Sequence, residues 1–161
     1  SITHLAGELF ANMAGINVTH VPYKGGGPNL IALLGGEIQV TVASIPASLG
    51  HLQAGRVKAL GLTSARRSRT LPEVPTIAES GVPGYEALNW YGMLAPAGVP
   101  NPIVAKLNKQ SNDILRAPDM VDSLARQGAE VEGGTSEAFR KYLQSEIAKW
   151  AKVIKAAGLQ Q

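Results

Sequence analysis

His20-Val21-Pro22-Tyr23-Lys24-Gly25-Gly26-Gly27-Pro28, running on into Asn29-Leu30-Ile31-Ala32-Leu33-Leu34, reads as a strand handing over to a helix through three consecutive glycines. Glycines remove the side chains that keep a ligand away from the backbone. A helix start presents free N–H groups and the positive end of the helix dipole, and both favour an anion. Lys24 adds a charge of the same preference. Two readings stay open on these residues alone. One is a cradle for a carboxylate; the other is an ordinary strand-to-helix turn in which Pro28 starts the helix. Neither the G-x-x-x-x-G-K-[ST] phosphate loop nor the G-x-G-x-x-G dinucleotide fingerprint is present, so nucleotide chemistry is disfavoured.

Outward from this turn, the pattern alternates helix and strand. Residues 3 to 14 predict a helix with Leu5, Leu9, Phe10 and Met13 on one face, capped by Ser1 or Thr3 and ended by Gly15. Asn17 to Pro22 predicts a strand, Pro28 to Leu34 a helix, and the period-two run Ile38 to Ala43 a strand. Pro46 to Ala54 predicts a helix stopped by Gly55, and Val57 to Thr63 a further strand. This β-α-β-α-β succession with short connections argues for a parallel or mixed sheet flanked by helices. A short helix is expected at Thr76 to Ser80, and Tyr85 to Ala95 reads as a long apolar crossing strand.

The pattern changes after Pro96, Gly98, Pro100 and Pro102. Helices are expected over Asn101 to Arg116, Pro118 to Gln127 and Thr135 to about Ala157, with a short strand at Glu130 to Glu132. Helices with one apolar face need a surface to cover. This part of the chain supplies almost no strands of its own, so the expected surface is a second sheet.

Composition narrows the function. The 161 residues carry 15 basic and 12 acidic side chains, a net charge of +3. That excess is too small and scattered to make a nucleic-acid surface. The tight cluster Arg66, Arg67 and Arg69 is read as a solvated loop. No cysteine is present, which excludes disulfides, thiol nucleophiles and cysteine metal sites while leaving both cytosolic and periplasmic homes open. No apolar run reaches the roughly 18 residues of a membrane span. The chain opens at Ser1 directly into a helical pattern, so a processed or truncated N-terminus is expected.

The sequence resembles the extracytoplasmic solute receptors of tripartite tricarboxylate transporters, the Bug receptors. The matching stretches are Ser1 to Glu8, His20 to Gly26, Leu33 to Gly36, Leu71 to Glu79, Trp90 to Gly98, and Glu146 to Val153 around Trp150. The likeness runs along essentially the whole chain. It implies an α/β, periplasmic-binding-protein-like (type II) lobe with flanking helices, a fragment of a two-lobe receptor. Residues 1–90 are then the second α/β lobe, 91–100 a crossover strand and turn acting as hinge, and 101–161 helices that complete a first lobe whose N-terminal part is absent. The implied function is capture of a small carboxylate in the interlobe cleft, in the periplasm, for membrane transporter subunits. It implies neither cofactor nor metal.

The resemblance maps the ligand site onto Ser1, Thr3 and His4, onto Tyr23, Lys24, Gly25, Gly26 and Gly27, and onto Ser44 and Ile45. Open α/β sheets bind ligands beyond the carboxyl ends of their strands, in agreement. Many relatives carry Asp or Asn near Ser44 or Ile45, whereas this chain reads Ala43-Ser44-Ile45-Pro46. An acid without an amino group is therefore expected.

Each residue also has a plainer reading. His4 could simply bond a neighbouring carbonyl, Lys24 could be a solvated loop charge, and His20 and His51 are expected to be structural. Three histidines on three elements, with no i,i+4 pair, make a poor metal site. A hydrolase using Ser1, Ser44 or Ser48 with His4 or His51 lacks the G-x-S-x-G elbow and any paired acidic motif, so no enzyme is expected. The effector-sensing domain of a transcription regulator is the other alternative, and an upstream helix-turn-helix would mark it. The last expectation concerns packing. Some of Ile103, Leu107, Ile114, Phe139, Leu143, Ile147 and Trp150 should lack cover within the chain and call for the missing N-terminal half or a swapped second copy.

Overall fold

The computed structural model describes residues 1–159. Six helices follow one another: α1 (Ile2–Ala14), α2 (Gly26–Leu34), α3 (Ile45–Gln53), α4 (Asn101–Leu115), α5 (Pro118–Arg126) and α6 (Ser136–Ala156). All six lie within two residues of the sequence-based bounds. α1 stops where Gly15 turns left-handed at φ 64°, a conformation that costs glycine little. α2 starts two residues earlier than expected, so Gly26 and Gly27 form its first turn instead of preceding it. The chain divides into two units, one of Ser1–Asn89 together with the chain from Val153, the other of Trp90–Lys152.

The first unit holds the buried apolar residues: Ala6, Ala11, Leu30, Ala32, Leu62, Val74, Tyr85 and Ala87. Half of these are alanines, so its elements approach closely. Tyr85 is the one large side chain fully inside; its hydroxyl donates to the Ala6 carbonyl at 2.9 Å, and its ring meets Phe10 edge-on at 6.1 Å. Helices α2 and α3 pack together.

The strands expected at Asn17 to Pro22, Ile38 to Ala43, Val57 to Thr63, Tyr85 to Ala95 and Glu130 to Glu132 do not form ladders among the described residues. The one pairing is a parallel bridge between Leu62 and Thr76, with Leu62 N–H donating to Pro75 O and Ile77 N–H to Leu62 O, both at 2.9 Å. The physical reason lies in what covers these segments. Parallel strands are buried on both faces, yet Val18, Val21, Val40 and Leu60 are 45–67% exposed. An uncovered face gains too little burial to fix a register.

Nor is Thr76 to Ser80 a helix. It is a turn stitched by a reciprocal pair, Glu79 N–H to Thr76 Oγ1 at 3.0 Å and Thr76 N–H to Glu79 Oε2 at 2.8 Å. That is a capping box without a helix behind it, because Gly81 and Pro83 break the chain at once. The Thr76 backbone bond and then Arg67, 2.9 Å away, hold the Glu79 carboxyl below its usual range. Arg67 is thus an exposed ion-pair partner, as a loop reading of the Arg66–Arg69 cluster requires.

In the second unit, Trp90 is ringed by Phe139 and Tyr142, edge-on at 5.7 and 5.5 Å. Its indole N–H reaches Glu146 Oε2 at 3.3 Å, and Trp150 donates to the same oxygen at 2.9 Å. Lys149 pairs with the other carboxylate oxygen. Burial would raise the Glu146 carboxyl, but the bonds from Lys149, Trp150 and Trp90 more than offset it and hold it below its usual range. Asn108 and Asn112 clasp the Gly134 backbone at 2.8–3.0 Å, which fixes the turn before α6. Ile103, Leu107, Ile114 and Ile147 are 45–62% exposed, while Phe139, Leu143 and Trp150 are half-buried. Helical periodicity has placed those apolar side chains on faces that no sheet of this unit covers.

Candidate ligand-binding site

The candidate residues sit at the starts of three helices in the first unit. Ser1 precedes α1 and Gly25 precedes α2, while Ser44 precedes α3, of which Ile45 is the first residue. None of these starts has a side-chain cap, so the expected capping of α1 by Ser1 or Thr3 is not made, their hydroxyls bonding each other instead, and none has an acidic residue in its first turn. α4 shares this lack, whereas α5 carries Asp119, α6 carries Glu137, and Thr135 Oγ1 caps α6 through the Ala138 N–H at 3.1 Å. The open donors of α1, α2 and α3 are thus left to solvent or to a ligand.

The α2 start is the best formed. Gly25 has φ 103°, which a side chain would resist, and its N–H closes a tight turn onto Tyr23 O at 2.9 Å. That bond takes Gly25 out of the donor set and leaves the N–H groups of Gly26 and Gly27. A Cβ added at Gly26 or Gly27 would meet nothing within 4 Å. The room above these two residues is therefore open rather than filled by protein. Lys24 is exposed beside them, and Tyr23 is half-buried.

The other segments differ in how they are tied. Ser1 and Thr3 are exposed and share a hydroxyl–hydroxyl bond of 2.9 Å. His4 is half-buried; its Nε2 lies 3.2 Å from Glu8 Oε1, and an ionised carboxylate accepts only, so this nitrogen carries the proton. The His4 ring lies flat against His20, with centroids 3.7 Å apart and planes 10° apart. Ser44 accepts the Ser48 hydroxyl at its carbonyl at 3.0 Å, leaving its own side chain uncommitted. The structure thus joins α1 to the segment that leads into the glycine turn, and packs α2 on α3. No hydrogen bond among the described residues links Ser44 or Ile45 to His4 or to Gly25–Gly27.

Three neighbours of the site escaped the residue-by-residue reading. Thr41 Oγ1 donates to Asn29 Oδ1, tying the extended 38–43 run to the first turn of α2. Glu8 stands one helical turn from His4, a spacing visible in the sequence. The stacking of His20 on His4 is tertiary, and local sequence carries no signal for it. His51 lies within α3, as expected. Among the described residues no group of three or more His, Cys, Asp or Glu side chains could hold a metal ion, and no helix is long and apolar enough to cross a membrane.

Residues 1–159 match the model of TctC, the tripartite tricarboxylate transporter family receptor. The chain belongs to this receptor family. It is 41% identical over 152 residues to the UPF0065 protein of the tcbD-tcbE intergenic region in a Pseudomonas species, covering 94% of this chain and 45% of that protein. Protein BugT of Bordetella pertussis is 37% identical over 158 residues, covering 98% of this chain and 48% of BugT. The chain therefore spans about half the length of these curated relatives.

Among solved structures, R. palustris Rpa4515 with adipate superposes with a TM-score of 0.87 at 42% identity, over 98% of this chain and 53% of that one. The periplasmic binding protein BugD gives 0.81 at 34% identity, over 98% of this chain and 54% of BugD. MatC from Rhodopseudomonas palustris with bound malate gives 0.81 at 32% identity, over 96% of this chain and 53% of MatC. The fold of this receptor chain is accordingly α/β and periplasmic-binding-protein-like, although its extended segments close only one bridge.

Proposed function

We propose that this receptor chain contributes the carboxylate-binding face of a periplasmic solute-binding protein that serves a tripartite tricarboxylate transporter. The observation that carries the reading is the first turn of α2. Gly26 and Gly27 present two N–H groups without protein partners among the described residues, at a positive helix end, under open space, with no acid nearby in the turn. A carboxylate oxygen accepting such bonds gains about 1.5–3 kcal/mol from each. Support also comes from the adipate and malate bound to two structural neighbours.

In this reading Gly26 and Gly27 hold one carboxylate, and Lys24 adds long-range attraction from the rim. Ser1, Thr3 and His4 at the α1 start, Tyr23 and Gly25 in the turn, and Ser44 and Ile45 at the α3 start line the rest of the cleft. Ser44 and Ile45 offer no carboxylate to an ammonium group, so the preferred ligand is an acid without one. Residues 1–90, together with the chain from Val153, act as one lobe, 91–100 as the hinge, and 101–152 as helices of the other lobe. Helix faces around Ile103, Leu107, Ile114 and Ile147 are covered there by further chain or by a second copy. Transporter subunits are the downstream partners, and no chemical step occurs: ester, amide and glycoside substrates should be left unchanged.

Calorimetry with adipate and with malate tests the reading. The parent protein should bind at least one of them. Gly26→Val should lose at least about a hundredfold in affinity, the equivalent of two charge-assisted bonds. Its φ is ordinary and its Cβ would point into open space, so the variant should fold. Lys24→Ala should weaken binding only severalfold. Equal titration curves for Gly26→Val and the parent would overturn the reading.

A further inference from the structure

His20 belongs to no helix, is exposed, and lies three residues before Tyr23, where the candidate site begins. Its one side-chain interaction among the described residues is the flat stack on His4, at 3.7 Å and 10°. His4 in turn is held from the other side by Glu8, one turn along α1. Glu8, His4 and His20 therefore form a chain that fastens the run leading into the glycine turn to the start of α1. Between residues 16 and 23 no backbone ladder does that work among the described residues.

We propose that His20 is a positioning residue for the candidate site, holding the Tyr23–Gly27 turn in place through its stack on His4, and that this hold opens when both rings are protonated. The proposal rests on the site proposed above. Stacking survives one positive charge, because a neutral ring can face a cation, and Glu8 accepts from a cationic His4 as well as from a neutral one. Two cations at this separation repel, and water screens an exposed pair only in part.

The titratable and charged groups around the pair are few. Residues 1–23 contain Glu8 and Tyr23, with no Lys, no Arg and no other acid, and Lys24 follows at once. Tyr85 reaches α1 through the Ala6 carbonyl. The end of α6 lines a hollow with Glu8 through Val153, Ala156 and Ala157, with Lys155 on the same turn. Among the described residues Glu8 is thus the one acid bonded to the pair, and its bond is to His4.

Three proteins separate the outcomes: the parent, His20→Phe and His20→Ala. His20→Phe keeps a flat partner for His4 and removes the second proton; His20→Ala removes the partner. Ring-to-ring magnetisation transfer by NMR, without ligand, reads the stack directly. It should be present in the parent near neutral pH, vanish in acid once the ring signals themselves show both histidines charged, and persist under both conditions in His20→Phe. Amide signals of Gly26 and Gly27 should shift with acid in the parent, not in His20→Phe, and in His20→Ala should match the acid form under both conditions.

Adipate affinity supplies the second arm. A cationic His4 attracts the ligand in parent and His20→Phe alike, and a cationic His20 would only tighten the parent, so a rise in the ratio of the parent's dissociation constant to that of His20→Phe reports loss of the stack. That ratio should rise by up to about fivefold once both rings are charged, the size of the repulsion between unit charges about 4 Å apart in water. A stack that persists in the parent once both rings are charged, or glycine amides that ignore its loss, would overturn the proposal. Absence of adipate and malate binding at every pH, with the NMR transitions intact, would instead count against the ligand reading alone.

Discussion

Replacing Tyr85 by Phe should destabilise the protein near neutral pH and stabilise it in strong alkali. The ring stays, with its edge contact to Phe10, so only the hydroxyl and its 2.9 Å bond to the Ala6 carbonyl are lost. A buried hydrogen bond of this kind contributes about 1 kcal/mol net, which is the expected deficit of Tyr85→Phe at pH 8. Burial pushes the Tyr85 hydroxyl up to about 12 from its ordinary value near 10. A group whose folded value is raised supports the fold fully below its unfolded value and loses that support as pH climbs through the folded one.

At about 1.4 kcal/mol per unit, the parent loses about 1.4 kcal/mol by pH 11 and a little over 2 kcal/mol by pH 12 through this hydroxyl. Phe has nothing to ionise. The two stability curves should therefore cross near pH 11. Urea unfolding followed by helical circular dichroism at pH 8, 10, 11 and 12 reads the crossing, and titration of the other tyrosines cancels in the difference. A gap that stays constant from pH 8 to 12 would refute the claim that the Tyr85 hydroxyl is buried against α1.

Two further substitutions probe the second unit. A Cβ at Gly92 would lie 2.3 Å from Phe139 Cζ, in the ring cluster around Trp90, so Gly92→Ala should cost about 1–3 kcal/mol in thermal or urea unfolding. Glu146→Gln removes the charge that Lys149, Trp90 and Trp150 share, and should cost about 1.5 kcal/mol at neutral pH. Because the Glu146 carboxyl lies below its usual 4.5, its contribution is present above that value and is lost as pH falls through the folded one, so parent and Gln variant should converge in acid. Tryptophan emission, which comes from Trp90 and Trp150 alone, follows both changes.

How much of this was legible from the residues depended on how local its cause was. Helix ends were legible because the signals sit in the chain itself: Gly15 and Gly158 in left-handed turns, Pro118 opening α5 and Thr135 capping α6. The start of α2 was displaced by two residues because glycines read as turn when they can equally enter a first helical turn. Thr76-Ile77-Ala78-Glu79 carries real capping chemistry, yet Gly81 and Pro83 leave no helix to cap.

The strand readings failed for a different reason. Val40 and Leu60 have the right side chains for a pleated sheet, but a strand exists only through its neighbours, and these faces stay largely exposed. The same division holds in the site. Glycine chemistry at residues 25–27 could be read directly, while the positive φ of Gly25 and the withdrawal of its donor by Tyr23 could not. The Thr41–Asn29 bond and the His4–His20 stack join residues 12 and 16 positions apart, beyond any periodicity.

The central claim is that the Gly26 and Gly27 N–H groups receive a ligand carboxylate. Amide NMR of the protein during titration with adipate and then malate tests it most directly. If one of these acids binds there, the Gly26 and Gly27 resonances should move downfield and saturate together, as amides do on bonding a carboxylate, with smaller shifts at Thr3 and His4. Saturating binding that moves residues elsewhere and leaves the two glycine amides where they were would contradict the account.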